Sequence, residues 1–290
     1  MSVHSTGEII IVRGGGDLAT GVVQKFHRAG FKVLILETSA PTAIRRSVAL
    51  CEAVYDGTAT VEDIICKKIS TVDEAKACWE EKIIPLLVDP EGKTIWEIKP
   101  AGVIDAIIAK RNLGTTRNMA DVTVALGPGF NAGEDVHAVI ETMRGHDLGR
   151  LILQGSALPD TGIPGEIAGE SIRRVLHAPE EGIIKHIKQI GSIVEQGEPL
   201  FTINYTKPNE NDRDTIPDTP SAITTVKAPI RGLLRGLIRE GIHVNTGTKV
   251  ADIDSRTDID WRTISDKARC LGGAALEAYF YIYQRNGENA

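Results

Sequence analysis

Apolar residues along this chain fall into short runs separated by segments of helical periodicity. Residues 9–12 (Ile-Ile-Ile-Val) form one such run, which passes through Arg13 into three glycines, Gly14, Gly15 and Gly16. Leu18, Val22, Val23, Phe26 and Ala29 then recur at helical spacing, and Gly30 supplies a stop. A second apolar run, residues 33–36, ends in Glu37. The order is strand, glycines, helix, strand, acid. Gly14, Gly16 and Ala19 fit the G-x-G-x-x-G/A spacing, and Glu37 lies about 20 residues on, where a ribose-binding acid is expected. Glycines there allow a tight turn and let a pyrophosphate approach the backbone, while the helix start offers free N–H groups. Asp17 stands at that start, where it can cap the helix but repels phosphate.

The pattern continues downstream. A loop and short helix follow Glu37, carrying Arg45 and Arg46 within reach of a phosphate or an anionic substrate. Residues 71–81 read as a helix with Val72, Ala75 and Trp79 on one face, and 85–89 as a strand. Residues 103–109 read as a buried strand or short helix, and Asp105 within that run needs a partner, for which Lys110 or Arg111 is the expectation. With Asn112, those two cations would sit at the carboxyl edge of a parallel sheet, the edge that binds ligands in open α/β folds. The strand at 122–126 runs into a second glycine loop containing Gly127, Gly129 and Gly133, and 135–141 reads as a helix behind it. His137 and His146 are the histidines nearest that loop, but no metal motif has their spacing, and no metal is expected.

The last third of the chain repeats itself. Ala178, Pro179 and Gly182 return as Ala228, Pro229 and Gly232, and Gly191, Val194 and Gly197 as Gly241, Val244 and Gly247, at one fixed offset of 50 residues. This duplication predicts two interlocked β units closing into a small barrel. The arrangement resembles the biotinyl/lipoyl carrier domains. A carrier shows its lysine on a tight hairpin, whereas residues 205–223 here are long and polar with no such signature, so carrier activity is not inferred. A closing helix from about 263 to 281, with Leu271, Ala274, Ala275, Ala278 and Tyr279 on one face, packs on a domain or on a second copy of the chain. The expected fold class is α/β: a Rossmann-like parallel sheet over residues 1–170, a duplicated β-barrel over 171–260, and a C-terminal helix over 261–290 that rejoins the first domain.

Composition narrows the function classes. A net charge of −6 argues against a sequence-independent nucleic-acid binder. No apolar run is long enough to span a membrane and the start has no signal-peptide pattern, so a cytoplasmic protein is expected. Four scattered cysteines favour reduced thiols over disulfides or a zinc ribbon.

Several blocks carry a family resemblance: residues 13–21 (Arg-Gly-Gly-Gly-Asp-Leu-Ala-Thr-Gly), 41–46, 52–57, 105–112, 126–130, 137–149 and 263–269. Through them the chain resembles the YqeB-type accessory proteins of the selenium-dependent molybdenum hydroxylase system, and its first domain is similar to XdhC-type proteins. The resemblance implies maturation or support of a partner molybdenum hydroxylase, but no catalytic residues. The bound cofactor would be a dinucleotide, NAD or a molybdopterin dinucleotide. Gly14, Gly15, Gly16, Asp17 and Glu37 would hold its nucleotide end; Arg45, Lys110, Arg111, Asn112, Gly127 and Gly129 would line the rest. Two other classes stay open. One is an NAD-dependent oxidoreductase with His137, His146 or Lys110 as proton donor; the other is a non-catalytic docking subunit in which a side chain closes the first site.

Overall fold

The structure is a computed structural model and describes residues 7–162, 169–170, 172–205 and 222–288. The chain divides into two compact units. The first comprises residues 1–41, 48–161 and 262–290; the second comprises 42–47 and 162–261.

The first unit opens with strand β1 (Ile9–Arg13), helix α1 (Asp17–Arg28) and strand β2 (Lys32–Glu37), in agreement with the periodicity. The short helix after Glu37 is two 3-10 turns, Arg46–Val48 and Leu50–Glu52, leading into α2 (Ala53–Asp56). Then come β3 (Thr58–Val61), β4 (Ile64–Ile69), α3 (Ala75–Glu80), β5 (Ile84–Val88), α4 (Lys93–Ile98), β6 (Gly102–Asp105), β7 (Val122–Leu126), β8 (Ala138–Ile140) and β9 (Leu151–Ile152). These strands form one nine-stranded sheet in the order β3-β4-β5-β2-β1-β6-β7-β8-β9. Its centre is parallel, but β3 pairs antiparallel with β4 and β9 antiparallel with β8. The expectation of a parallel sheet is therefore corrected to a mixed one, because tight reversals at 62–63 and 141–150 fold the chain back at both ends.

Alternation along β1 explains how the sheet is covered. Ile10 and Val12 join a core with α1 and the final helix α5 (Asp266–Glu288), while Ile11 packs with Ala75 and Cys78 of α3 and Ile95 of α4. Helices α1 and α5 cross at Gly21 and Gly272, where an added Cβ on either would strike the opposing backbone. Phe26, Phe31 and Tyr279 meet edge-on beside that crossing, with ring centroids 5.1–5.8 Å apart.

One expected helix is a strand. Residues 135–141 were expected to follow the second glycine loop as a helix, yet Ala138–Ile140 is β8, parallel to β7. All three of its residues are buried, and a short run buried on both faces carries no period by which a strand can be told from a helix.

The second unit contains β10 (Val175–His177), β11 (Gly182–His186), β12 (Ile193–Val194), β13 (Pro199–Tyr205), β14 (Ala222–Lys227), β15 (Gly232–Leu237), β16 (His243–Val244) and β17 (Lys249–Asp254). The 50-residue offset maps β11 onto β15, β12 onto β16 and β13 onto β17. Each copy lends strands to both sheets: β11 pairs with β16, and β12 with β15. The sheets, β10-β17-β15-β12 and β14-β13-β11-β16, stay separate and enclose a core of Ile184, Leu200, Phe201, Leu234, Leu237 and Ile253. The expected closed barrel is corrected to two four-stranded antiparallel sheets, since no ladder joins their edge strands among the described residues. Most of the long polar segment at 205–223, residues 206–221, lies outside the described residues.

Candidate functional site

The first unit's sheet changes connection direction at β1: β2 and β5 lie on one side, β6 and β7 on the other. Loops at the carboxyl ends of these strands converge there, the place where open α/β sheets take ligands. Gly14, at φ +95°, turns the chain out of β1; an added Cβ would come within 3.0 Å of the Ile107 backbone. Gly15 leaves no room either, with the Cys51 backbone N 3.0 Å from such a Cβ. Gly16 differs. It is the N-cap of α1, makes no side-chain cap bond, and has open space where a Cβ would be.

Glu37 does not stand free for a ribose. Its carboxylate accepts the Gly15 N–H at 2.7 Å and the Thr38 N–H at 2.7 Å. Burial pushes its pKa up, and those two bonds pull against the shift. Cys51 beside the loop is driven higher still, by burial first and then by the charges of Glu37, Glu52 and Asp17. The inner part of the glycine loop is thus filled by the protein's own acid, and what remains open is its Gly16 end.

Asp105 finds its partner in Arg13, not in Lys110 or Arg111. The Arg13 guanidinium lies 3.9 Å from the Asp105 carboxylate, bonds the Thr115 hydroxyl, and donates to the Pro90 carbonyl at 3.0 Å. Thr115 in turn donates to Asp105 at 2.5 Å. Asn112 shapes the turn that delivers Thr115, accepting the N–H groups of Gly114 and Thr115 at 2.8 Å. Burial raises the Asp105 pKa, against the Thr115 bond and the Arg13 charge. Arg13, 1% exposed, is the residue that the pattern along the chain missed. The only sequence signal for it was a cation closing an apolar strand.

The other expected site residues divide. Lys110 forms an ion pair with Asp160 at 2.5 Å, and Arg111 is exposed. Gly129, at φ +108°, lies against them, with the Arg111 Cα only 2.6 Å from an added Cβ. Gly127 packs on Thr142 in the same manner. Gly129 brings the second loop onto the 106–111 segment, in which Ile108 and Lys110 are themselves left-handed at φ 60° and 61°. Arg45 belongs to the second unit. His137 precedes β8 and so stands at the amino edge, away from Gly14–Gly16 and from Gly127 and Gly129, while His146 is exposed in the turn after β8. Among the described residues, no group of three His, Cys, Asp or Glu side chains could hold a metal ion.

No family model matches the chain. A relative is clear: over 281 residues, 96% of this chain, it is 44% identical to a protein of Escherichia coli (strain K12) called uncharacterized protein YqeB. The chain is a homologue of that protein. It spans about half of the relative's length, 49%. Among solved structures, the product-bound ectoine utilization protein EutE (DoeB) from Ruegeria pomeroyi is 11% identical, with 85% of this chain and 86% of that chain covered and a TM-score of 0.25. A succinylglutamate desuccinylase from Silicibacter sp. TM1040 is 12% identical, with 85% and 84% covered and the same TM-score of 0.25. Likenesses that slight carry neither fold nor chemistry over to this chain. No helix among the described residues is long and apolar enough to cross a membrane.

Proposed function

We propose that this chain handles a nucleotide-bearing cofactor as an accessory protein of a molybdenum hydroxylase system, taking a cofactor phosphate at the start of α1. The observation that carries this reading is Gly16. As N-cap of a 12-residue helix it makes no side-chain cap bond and has open space where a Cβ would stand, at the sheet's change of direction. Glu37 serves by holding Gly15, which fixes the loop, and Arg111 is an exposed cation on the neighbouring loop. The sequence blocks from 13–21 to 263–269 supply the link to molybdenum hydroxylases. A site with one open helix end and an acidic interior suits moderate affinity, as delivery to a partner requires.

The dehydrogenase reading loses two of its three proton donors, since His137 lies at the other edge of the sheet and Lys110 is engaged by Asp160, which leaves it only the exposed His146. A docking subunit remains the second reading, favoured by the Glu37–Gly15 bond that occupies the inner loop.

Thermal shift of the wild-type chain with NAD, CTP and a molybdopterin dinucleotide tests the proposal, with Gly16→Asp as the control. Gly16 has an ordinary φ of −67° and room for a side chain, so the variant folds, and its new carboxylate caps α1 while repelling phosphate. The expected result is a raised midpoint with the molybdopterin dinucleotide, worth about 2.7 kcal/mol at 100 times Kd and absent in Gly16→Asp. No shift with any nucleotide favours docking.

A further inference from the structure

A cleft of the first unit lies at the opposite, amino edge of the sheet, where α4 ends and where β7 and β8 begin. Its volume is about 640 Å³, and its lining includes Trp96, Lys99, Arg117, Asn118, Asp121 and His137. Four side chains of that lining point to a ligand.

Trp96 is 55% exposed and presents a large flat aromatic face to solvent beside the cleft. Lys99 closes α4 in the left-handed conformation, at φ 52°, where helices usually place glycine. The chain instead accepts backbone strain and keeps an ammonium group at the cleft mouth. His137 is held by the Thr123 backbone N–H, which donates to Nδ1 at 3.0 Å. That bond fixes the proton on Nε2, so the ring presents an N–H donor. Burial and the Arg117 charge, opposed by Asp121, pull its pKa down to about 4, and it stays neutral near pH 7. Arg117 donates one N–H to the Gly133 carbonyl at 2.8 Å and has four others.

The cleft therefore offers one flat aromatic face, two cations, an amide and a neutral N–H donor. Asp121 is the opposing charge, and it sets a limit by disfavouring ligands with two or more negative charges. We propose that this cleft binds a planar aromatic monoanion, a ring bearing one carboxylate, with the ring on Trp96 and the carboxylate between Lys99 and Arg117. This ligand is separate from the nucleotide of the carboxyl edge.

The probe is nicotinate, with nicotinamide as its neutral counterpart, read by tryptophan fluorescence and by saturation-transfer NMR on the full chain. Nicotinate is expected to quench fluorescence and to bind at least about tenfold more tightly than nicotinamide, with the preference weakening as salt is raised. Trp96→Leu is expected to abolish the quench. Lys99→Gln, at a side chain with no described ion pair, is expected to weaken nicotinate several-fold without altering nicotinamide. Gly16→Asp is expected to change neither, which keeps this site distinct from the proposed phosphate site. Equal binding of the two probes overturns the proposal, as does nicotinate binding unchanged in both Trp96→Leu and Lys99→Gln. Absence of binding up to about 10 mM, weaker than any useful recognition, overturns it as well.

Discussion

In the first unit Asp105 faces one arginine, Arg13, at 3.9 Å, and its closer bond is to the neutral Thr115 hydroxyl. In the second unit Asp252 receives two bonds from Arg235, at 2.5 and 3.0 Å, and another from Arg174, while Asp254 takes Arg235 at 2.8 Å and Arg256 at 2.8 Å. Burial does not separate Asp105 from Asp252, each 2% exposed. The cations do. At Asp105 burial wins and the pKa rises; at Asp252 burial pushes the same way, but Arg235, Lys249 and Arg174 outweigh it and hold the pKa down. The network in the duplicated unit is a settled ion lattice. The one beside the candidate site keeps an under-compensated carboxylate among polar loops, the kind of electrostatic tension that collects where ligands act.

The largest effect expected from this contrast comes from Asp252→Ala. It removes the carboxylate that Arg174 and Arg235 share in the interior, and breaking a buried pair from one side costs about 3–5 kcal/mol. Urea unfolding measures it, with Trp261 as a fluorescent reporter in the second unit. A loss below about 1 kcal/mol would place the lattice among exposed pairs and remove the contrast.

Asp105→Asn should do far less. The amide keeps an acceptor for the Thr115 hydroxyl and removes a charge that is costly to bury, so a change of about 1 kcal/mol or less in either direction is expected. Trp79, bonded to the Val33 carbonyl at 2.9 Å, reports on the first unit. A loss as large as that of Asp252→Ala would mean that Arg13 depends on this carboxylate after all.

The sequence shows these two networks unequally, for a physical reason. In the second unit the two-residue spacing of Asp252 and Asp254 puts both acids on one face of β17. In the first unit Arg13 and Asp105 are 92 residues apart and meet only because β1 and β6 are neighbours in register, Arg13 opposite Asp105. Local pattern therefore assigned Asp105 to its near neighbours Lys110 and Arg111, as any argument from chain proximity would. The β1–α1–β2 start was legible because periodicity and glycine spacing are local. β8 was not, because a three-residue strand buried on both faces has no period. Nor could the antiparallel edges β3 and β9 be read, since they depend on reversals at the sheet margins. The amino-edge cleft was invisible for the same reason as Arg13: Trp96, Arg117 and His137 come from three separate segments that only the sheet order brings together.

The smallest effect, and the sharpest in sign, is the pH response. The folded pKa of Asp105 lies above the ordinary aspartate value of about 3.9, so between the two the native state holds a proton that the unfolded chain has lost. Its contribution is fully present below about pH 3.9 and is lost as pH rises through the folded value. Asp252 is the reverse: its folded pKa is lowered, so its contribution is present above about pH 3.9 and is lost as pH falls toward the folded value. Amide exchange in β6 and β17, corrected for intrinsic rates and followed down the acid range, reads both. Amides of β17 should lose protection on acidification. Those of β6 should gain relative to Asp105→Asn, whose own carboxylate term is gone. If the variant and the wild-type chain give the same β6 profile, Asp105 titrates alike in both states, and the tension assigned to the site is not there.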